Sequence, residues 1–240
     1  MLKINNLFVV AENQPLLTDI NLSINSGEIH VVTGPVHSGK SALAHIITGH
    51  PSLVIESGNI TFDRKKINKL SAQERSKRGI FIGFQNPPDF ENFTNWELFE
   101  NFIKASLQDI DKMQAGYLAC CQMMGLTESH GDKINIDGPM LLSHFKYNEI
   151  VHMLMSDPKL IILDEIDDGL SENEVKLFAN VVNEAIAINK CSALIITRNQ
   201  LFLSLINPTH IHVMTSGKIT MSGDGELCKR IVENGYSELS

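Results

Sequence analysis

The octapeptide Gly34-Pro35-Val36-His37-Ser38-Gly39-Lys40-Ser41 constrains the fold of this chain more tightly than any other stretch. It carries the G-x-x-x-x-G-K-[ST] spacing of a phosphate-binding loop, which has its meaning only between a strand and a helix. Both are predicted here. Ile29-His30-Val31-Val32-Thr33 is an apolar run that reads as a buried strand, and Ser41-Ala42-Leu43-Ala44-His45-Ile46-Ile47 reads as the start of a helix. At that junction the backbone N–H groups and the positive end of the helix converge and favour an anion. The candidate nucleotide-binding residues are therefore Gly34, Pro35, Val36, His37, Ser38, Gly39, Lys40, Ser41 and Ala42. In such a loop Lys40 reaches the β- and γ-phosphates of a nucleotide such as ATP, and the Ser41 hydroxyl ligates Mg²⁺.

A second signal supplies the carboxylates that a metal–phosphate complex needs. Leu160-Ile161-Ile162-Leu163-Asp164-Glu165 is an apolar strand with two acids at its C-terminal end, where ligands bind in open α/β sheets. Asp164 suits the Mg²⁺ shell, directly or through water. Glu165 is one residue further on, so it points elsewhere and is placed to polarise an attacking water as a general base.

The rest of the chain alternates between strands and helices. Leu2–Val10 and Leu16–Ile24 have strand-like spacing around the polar turn Ala11–Pro15, and Asn59–Asp63 reads as a short strand. Ser71-Ala72-Gln73-Glu74 is a capping box that starts a short helix running to about Arg78. Gly79–Phe84 reads as a buried strand. From Trp96 to Met155 strand signals give way to helical spacing, as at Leu98, Phe99, Phe102 and Ile103, with methionines as core filler. Alternation then returns: strand Leu160–Leu163, helix Glu172–Ile188, strand Ser192–Thr197, a hairpin of His210–Thr215 and Lys218–Ser222, and a helix capped by Asp224 through about Glu233. The expected fold class is α/β: a mostly parallel sheet, antiparallel strands at the N-terminus, a core formed by 1–95 and 156–240, and an inserted helical lobe at 96–155.

Composition narrows the function classes. The formal net charge of −8 argues against non-specific nucleic-acid binding. No apolar stretch approaches the ~20 residues needed to span a bilayer, and residues 1–25 lack a signal-peptide core. A soluble, cytoplasmic protein is expected. Cys120, Cys121, Cys191 and Cys228 form no C-x-x-C pair and read as free thiols, and none of the nine histidines has metal-ligand spacing.

The order of phosphate loop, helical lobe, strand ending in Asp-Glu and final hairpin resembles an ABC-type ATPase. Gly79-Ile80-Phe81-Ile82-Gly83-Phe84-Gln85-Asn86-Pro87, Lys146-Tyr147-Asn148-Glu149 and Ile162-Leu163-Asp164-Glu165-Ile166-Asp167-Asp168-Gly169-Leu170 are similar to segments of one branch, the SufC-type ATPase of the Suf iron–sulfur assembly system. Val213-Met214, Gly217-Lys218-Ile219, Ser222-Gly223-Asp224 and Gly235-Tyr236 resemble its C-terminal end. The resemblance implies ATP and Mg²⁺ as ligands. It makes Gln85 the residue that senses Mg²⁺ and the γ-phosphate, beside Glu165 as the catalytic carboxylate. It also implies SufB- and SufD-like scaffold partners and an ATP-dependent homo- or heterodimer.

Several positions depart from that pattern. The signature near L-S-G-G-[QE], which meets the partner's nucleotide, is here Leu142-Ser143-His144-Phe145-Lys146, without either glycine. Ser171 stands where an aspartate meets the partner, Arg198 replaces the switch histidine, His37 takes a glycine position, and Ala42 replaces a hydroxyl. Arg198 is expected to face solvent rather than phosphate. Groups serving a nucleotide on the same subunit are kept and those offered across a dimer are lost, which predicts Mg-ATP binding with weak hydrolysis by a homodimer. Two other readings stand beside the Suf one: a nucleotide-binding regulatory or structural subunit, and the energy subunit of a membrane transporter.

Overall fold

The computed structural model describes residues 1–85, Glu97, 110–126 and 142–235, with the backbone alone for 110–115, 142–145, Asn189 and Asn234. The expected boundary near 95, the helical spacing at Leu98–Ile103, Asn86, Pro87 and Tyr236 lie outside the described residues, as do the side chains of the Leu142–Phe145 segment.

Two sheets form the core. In the first, β1 (Leu2–Ala11) pairs antiparallel with β2 (Gln14–Ile24) and β4 (Val54–Phe62), and β5 (Lys65–Lys66) closes the far edge. The second has the order β10-β9-β3-β8-β7-β6 and comprises β3 (Ile29–Thr33), β6 (Ile80–Gly83), β7 (Leu160–Asp164), β8 (Ser192–Ile196), β9 (His210–Thr215) and β10 (Lys218–Gly223). All its pairs are parallel except β9 with β10.

Side-chain alternation along these strands divides the apolar residues between two cores. Val32, Ile162, Leu194, Ile196 and Met214 face the antiparallel sheet, together with Leu43, Ile46 and Ile47 of α1 (Lys40–Thr48). Val31, Ile161, Leu163, Ile195 and Val213 face the other way, against Phe178 and Val182 of α5 (Glu172–Asn189) and Ile150, Val151 and Met153 of α4 (Leu142–Met155). Each such side chain, fully buried, contributes about 1.5–3 kcal/mol. Tyr117, Cys121 and Met124 join this second core from α3 (Ile110–Met123) and the turn after it. The described residues between 96 and 155 thus include two helices.

Capping chemistry sets several boundaries. Ser71 and Glu74 form the expected capping box, but α2 ends early, spanning Ala72–Ser76. Ser171, a departure from the family pattern, caps α5 in a second capping box with Glu174. A helix absent from the sequence reading, α6 (Gln200–Leu205), starts where Asn199 Oδ1 accepts hydrogen bonds from the Leu201 and Phe202 N–H groups at 2.9 and 3.1 Å. Asp224 caps α7 (Gly225–Asn234) as expected.

The strand expected to begin at Asn59 begins five residues earlier, at Val54. Ser57-Gly58 lies at a bulge inside this strand: the β1–β4 register shifts between Asn5 and Phe8. Gly58 has φ +87°, and a Cβ on it would lie 2.4 Å from the Asn6 carbonyl oxygen. Only glycine allows that approach. Gly58→Ala is expected to lower the unfolding free energy by about 1–3 kcal/mol, read as an earlier urea midpoint with unchanged slope.

Candidate functional site

Parallel pairing places the C-terminal ends of β3, β6, β7 and β8 on one rim of the second sheet. The phosphate loop leaves that rim after Thr33, Gln85 follows β6, Glu165 follows β7 and Arg198 follows β8. Segments distant in sequence therefore meet there.

The loop's shape depends on positive φ at three places: Gly34 at 139°, His37 at 61° and Gly39 at 98°. Gly39 is the left-handed residue at the head of α1. A Cβ at Gly34 would lie 2.1 Å from the Met214 carbonyl oxygen of β9, and the Ser38 carbonyl accepts from the Gly217 N–H at 2.9 Å. Histidine tolerates the left-handed region well enough to replace a glycine at position 37. Pro35, Val36 and His37 are exposed, Ser38 and Lys40 are buried, and Ala42 packs against the first core. Lys40 Nζ donates to Gly34 O at 3.0 Å, Pro35 O at 2.8 Å and Ser38 Oγ at 3.3 Å. Burial pushes its pKa down, and the neighbouring Glu165 carboxylate opposes that shift.

Behind the loop, Ser41 Oγ donates to Asp164 Oδ1 at 3.1 Å. Burial pushes Asp164 up to about 6, against the Ser41 hydrogen bond. A hydroxyl and a carboxylate held together beside a phosphate-type loop form an oxygen donor set that suits Mg²⁺. The loop backbone and Lys40 are a cradle for the phosphates that such an ion accompanies.

Glu165 is 7% exposed and is held from several directions. Its φ is +47°, and its N–H donates to Ile196 O at 2.9 Å. Arg198 grips both carboxylate oxygens, Nε to Oε1 at 3.1 Å and Nη2 to Oε2 at 3.1 Å. Gln85 Nε2 donates to Glu165 Oε2 at 3.2 Å and to Asp168 Oδ2 at 3.1 Å, and Lys40 Nζ lies 3.7 Å from Glu165 Oε1. Gln85 is thus joined to Glu165 and Asp168, while Ser41 is joined to Asp164. Arg198 stays exposed, as expected, but its guanidinium turns onto Glu165: β8 runs beside β7 with Ile196 opposite Asp164, so the residues that follow these two come within reach of each other. That proximity belongs to the pairing of two strands and is invisible in either motif alone.

The Lys146–Glu149 segment also gains a physical role. Lys146, 1% exposed, donates to the Asp168 carbonyl oxygen, and Glu149 Oε2 accepts from the Phe84 N–H just before Gln85. Thr197 Oγ1 donates to Asp167 Oδ2 at 2.9 Å, and burial pushes Asp167 up to about 6. α4 is thereby stitched both to the loop after β7 and to the residue preceding Gln85.

Residues 17–167 match the family model for ABC transporters. The chain belongs to the ABC transporter ATP-binding family. A probable ABC transporter ATP-binding protein of Streptococcus pyogenes is 33% identical over 245 residues, covering 100% of this chain and 95% of that protein. Vegetative protein 296 of Bacillus subtilis is 32% identical over 244 residues, covering 98% and 91%. Among solved structures, the ADP conformation of MJ1267, an ATP-binding cassette of an ABC transporter, superposes with TM-score 0.79 at 25% identity, covering 98% of this chain and 95% of that one. The dimeric bacterial cassette MJ0796, TM-score 0.81 at 19% identity over 93% and 98%, shares the fold. This ABC-family fold implies ATP binding, typically with Mg²⁺. The matched segment contains the phosphate loop, Gln85, Asp164 and Glu165, whereas Arg198 lies beyond it. No helix among the described residues is long and apolar enough to cross a membrane.

Burial also sets a pH dependence. It raises Glu149 to about 8, against the Phe84 N–H and the Lys146 charge. The folded chain therefore holds this proton more tightly than the unfolded one. The resulting stabilisation is complete below the ordinary value of 4.5 and is lost as pH rises through about 8. Glu149→Gln, which cannot ionise, is expected to gain thermal stability relative to the natural chain as pH goes from about 5 to about 9, measured by paired melts.

Proposed function

We propose that this chain binds Mg-ATP at the phosphate loop and hydrolyses it as the ATPase subunit of a Suf-type iron–sulfur cluster assembly machine, working on SufB- and SufD-like scaffold proteins. The single observation carrying the ATPase reading is the convergence of Lys40, Ser41, Gln85, Asp164 and Glu165 at one sheet rim. The Suf assignment is supported by the segments around Gln85, Lys146–Glu149 and Asp164–Leu170.

In this reading the loop N–H groups and Lys40 bind and orient the phosphates, Ser41 and Asp164 would hold the metal, and Gln85 would sense it from its place on Glu165 and Asp168. When bound, Mg²⁺ supplies charge neutralisation at the β- and γ-phosphate oxygens. Glu165 takes the proton of the attacking water. Arg198 occupies both carboxylate oxygens of Glu165, so Glu165 must leave that fork to reach a water. The altered Leu142–Lys146 signature removes preorganised donors, and losing one such donor costs on the order of 10²–10³ in turnover. Hydrolysis by the isolated chain is therefore slow, and scaffold partners or a second ATPase subunit accelerate it. Residues 96–155 act as the inserted lobe, with α4 carrying partner movement to Gln85 through Glu149.

The energy subunit of a membrane transporter is the second reading, favoured by the name of the Streptococcus pyogenes relative. Co-purification separates the two: a soluble scaffold partner supports the first, and a polytopic membrane protein overturns it. Calorimetry and phosphate release test the chemistry. Lys40→Ala is expected to abolish Mg-ATP binding. Glu165→Gln is expected to keep binding and lower turnover by about 10²–10⁴. Brisk turnover of the pure chain, or Mg-ATP binding indifferent to Lys40, contradicts the proposal.

A further inference from the structure

We propose that Glu28, His30 and His210 form a binding site for a divalent first-row transition-metal ion, with His212 and Ser222 orienting the buried ring. The site is separate from the nucleotide rim and does not depend on the Suf reading. His30 lies four residues before Gly34 on β3, so about 13 Å of strand separates the two.

Register builds it. β3 and β9 run parallel with His30 opposite His210 and Val32 opposite His212. The two-residue period puts the three imidazoles on one face of the sheet. Glu28 stands two residues before His30. One ligand atom from each of Glu28, His30 and His210 lies within 4.8 Å of the others.

The surrounding hydrogen bonds resemble those that prepare metal ligands. His30 Nε2 faces Glu28 Oε2 at 2.9 Å, while His30 Nδ1 faces His212 Nε2 at 2.9 Å. His212 Nδ1 in turn faces Ser222 Oγ at 2.8 Å. Glu28 is held from behind by Asn25, whose backbone N–H and side-chain amide donate to its two oxygens at 2.7 and 2.8 Å. His30 is 2% exposed and His212 7%, and burial pushes both rings below their ordinary pKa. His210 is exposed and stacks on His30 with centroids 4.5 Å apart, leaving the site open to solvent on one side.

Two imidazole nitrogens and one carboxylate oxygen suit ions such as Zn²⁺, Co²⁺ and Ni²⁺, and three protein ligands leave a position for water. Ligands in a tetrahedral zinc site lie about 3.3 Å from one another. The exposed His210 closes the remaining gap by turning out of its stack. His30 and Glu28 need little movement, because the ion takes the place of the proton between them.

Within the His30–His212–Ser222 relay the proton count balances. Before binding, His30 Nε2–H donates to Glu28, His212 Nε2–H donates to His30 Nδ1, and the Ser222 hydroxyl donates to His212 Nδ1. With the ion on His30 Nε2, the relay reverses. His30 Nδ1–H donates to His212 Nε2, and His212 Nδ1–H donates to Ser222 Oγ. Each ring keeps one proton, and the outer partners fix the liganding tautomer.

The test is a Zn²⁺ titration of the full chain by calorimetry without nucleotide or Mg²⁺. Co²⁺ absorption reports the geometry, and circular dichroism reports the fold. His50→Ala is the control, since His50 stacks on His45, which approaches Asp164 to 3.9 Å and is the competing place for an ion. One ion per chain is expected to bind saturably. His210→Ala and Glu28→Gln, folded as judged by circular dichroism, are each expected to weaken it at least about tenfold, with His50→Ala unchanged. The proposal is overturned if no saturable binding occurs up to millimolar Zn²⁺, if both site variants bind as the natural chain does, or if the loss falls on His50→Ala instead.

Discussion

The parallel pairing of β3, β8 and β7 is the constraint on which the site rests. Val32 lies opposite Ile196 and Asp164 opposite Ile196 on the other side, so the three strands end level with one another. Everything chemical follows from what comes next on each strand: a phosphate loop, a guanidinium and a pair of carboxylates. The apolar runs that make these strands stick also exclude water from beneath the rim. Buried Lys40, Asp164 and Glu165 consequently interact in a medium less screening than bulk water.

The charges there balance locally. Lys40 and Arg198 flank Glu165, and Ser41 supports Asp164. A buried carboxylate stripped of its cationic neighbours is costly, which is why Glu165 is gripped so closely. Arginine gives this clamp a geometry that histidine lacks, because its planar fork matches both oxygens at once. The replacement changes the resting state of the carboxylate as well as the residue at the switch position.

Local signals made most of the fold legible. Strand periodicity, the Ser71–Glu74 cap and the turn between Thr215 and Lys218 carry information within a few residues, and the elements they mark lie close to where the pattern puts them. The start of β4 was hidden because its bulge is decided by Asn6 on a neighbouring strand. α6 was hidden because one asparagine cap precedes only six helical residues. At the candidate site, Lys40, Ser41, Asp164 and Glu165 are marked by motifs and Gln85 by the family resemblance. Arg198 on Glu165, Lys146 on the loop after β7 and the histidines of β3 and β9 are not, since each joins residues of two elements. Spacing along one strand says nothing about which strand will lie beside it.

The carbonyl of Met214 sits directly behind Gly34, and Gly217 is wedged between Ser38 and Leu16. The C-terminal hairpin therefore acts as the mould against which the phosphate loop is cast. During synthesis the octapeptide emerges long before that mould exists. It can settle against that mould only after Met214 and Gly217 have been made, so a shorter chain has the letters of the motif without the surface that shapes it.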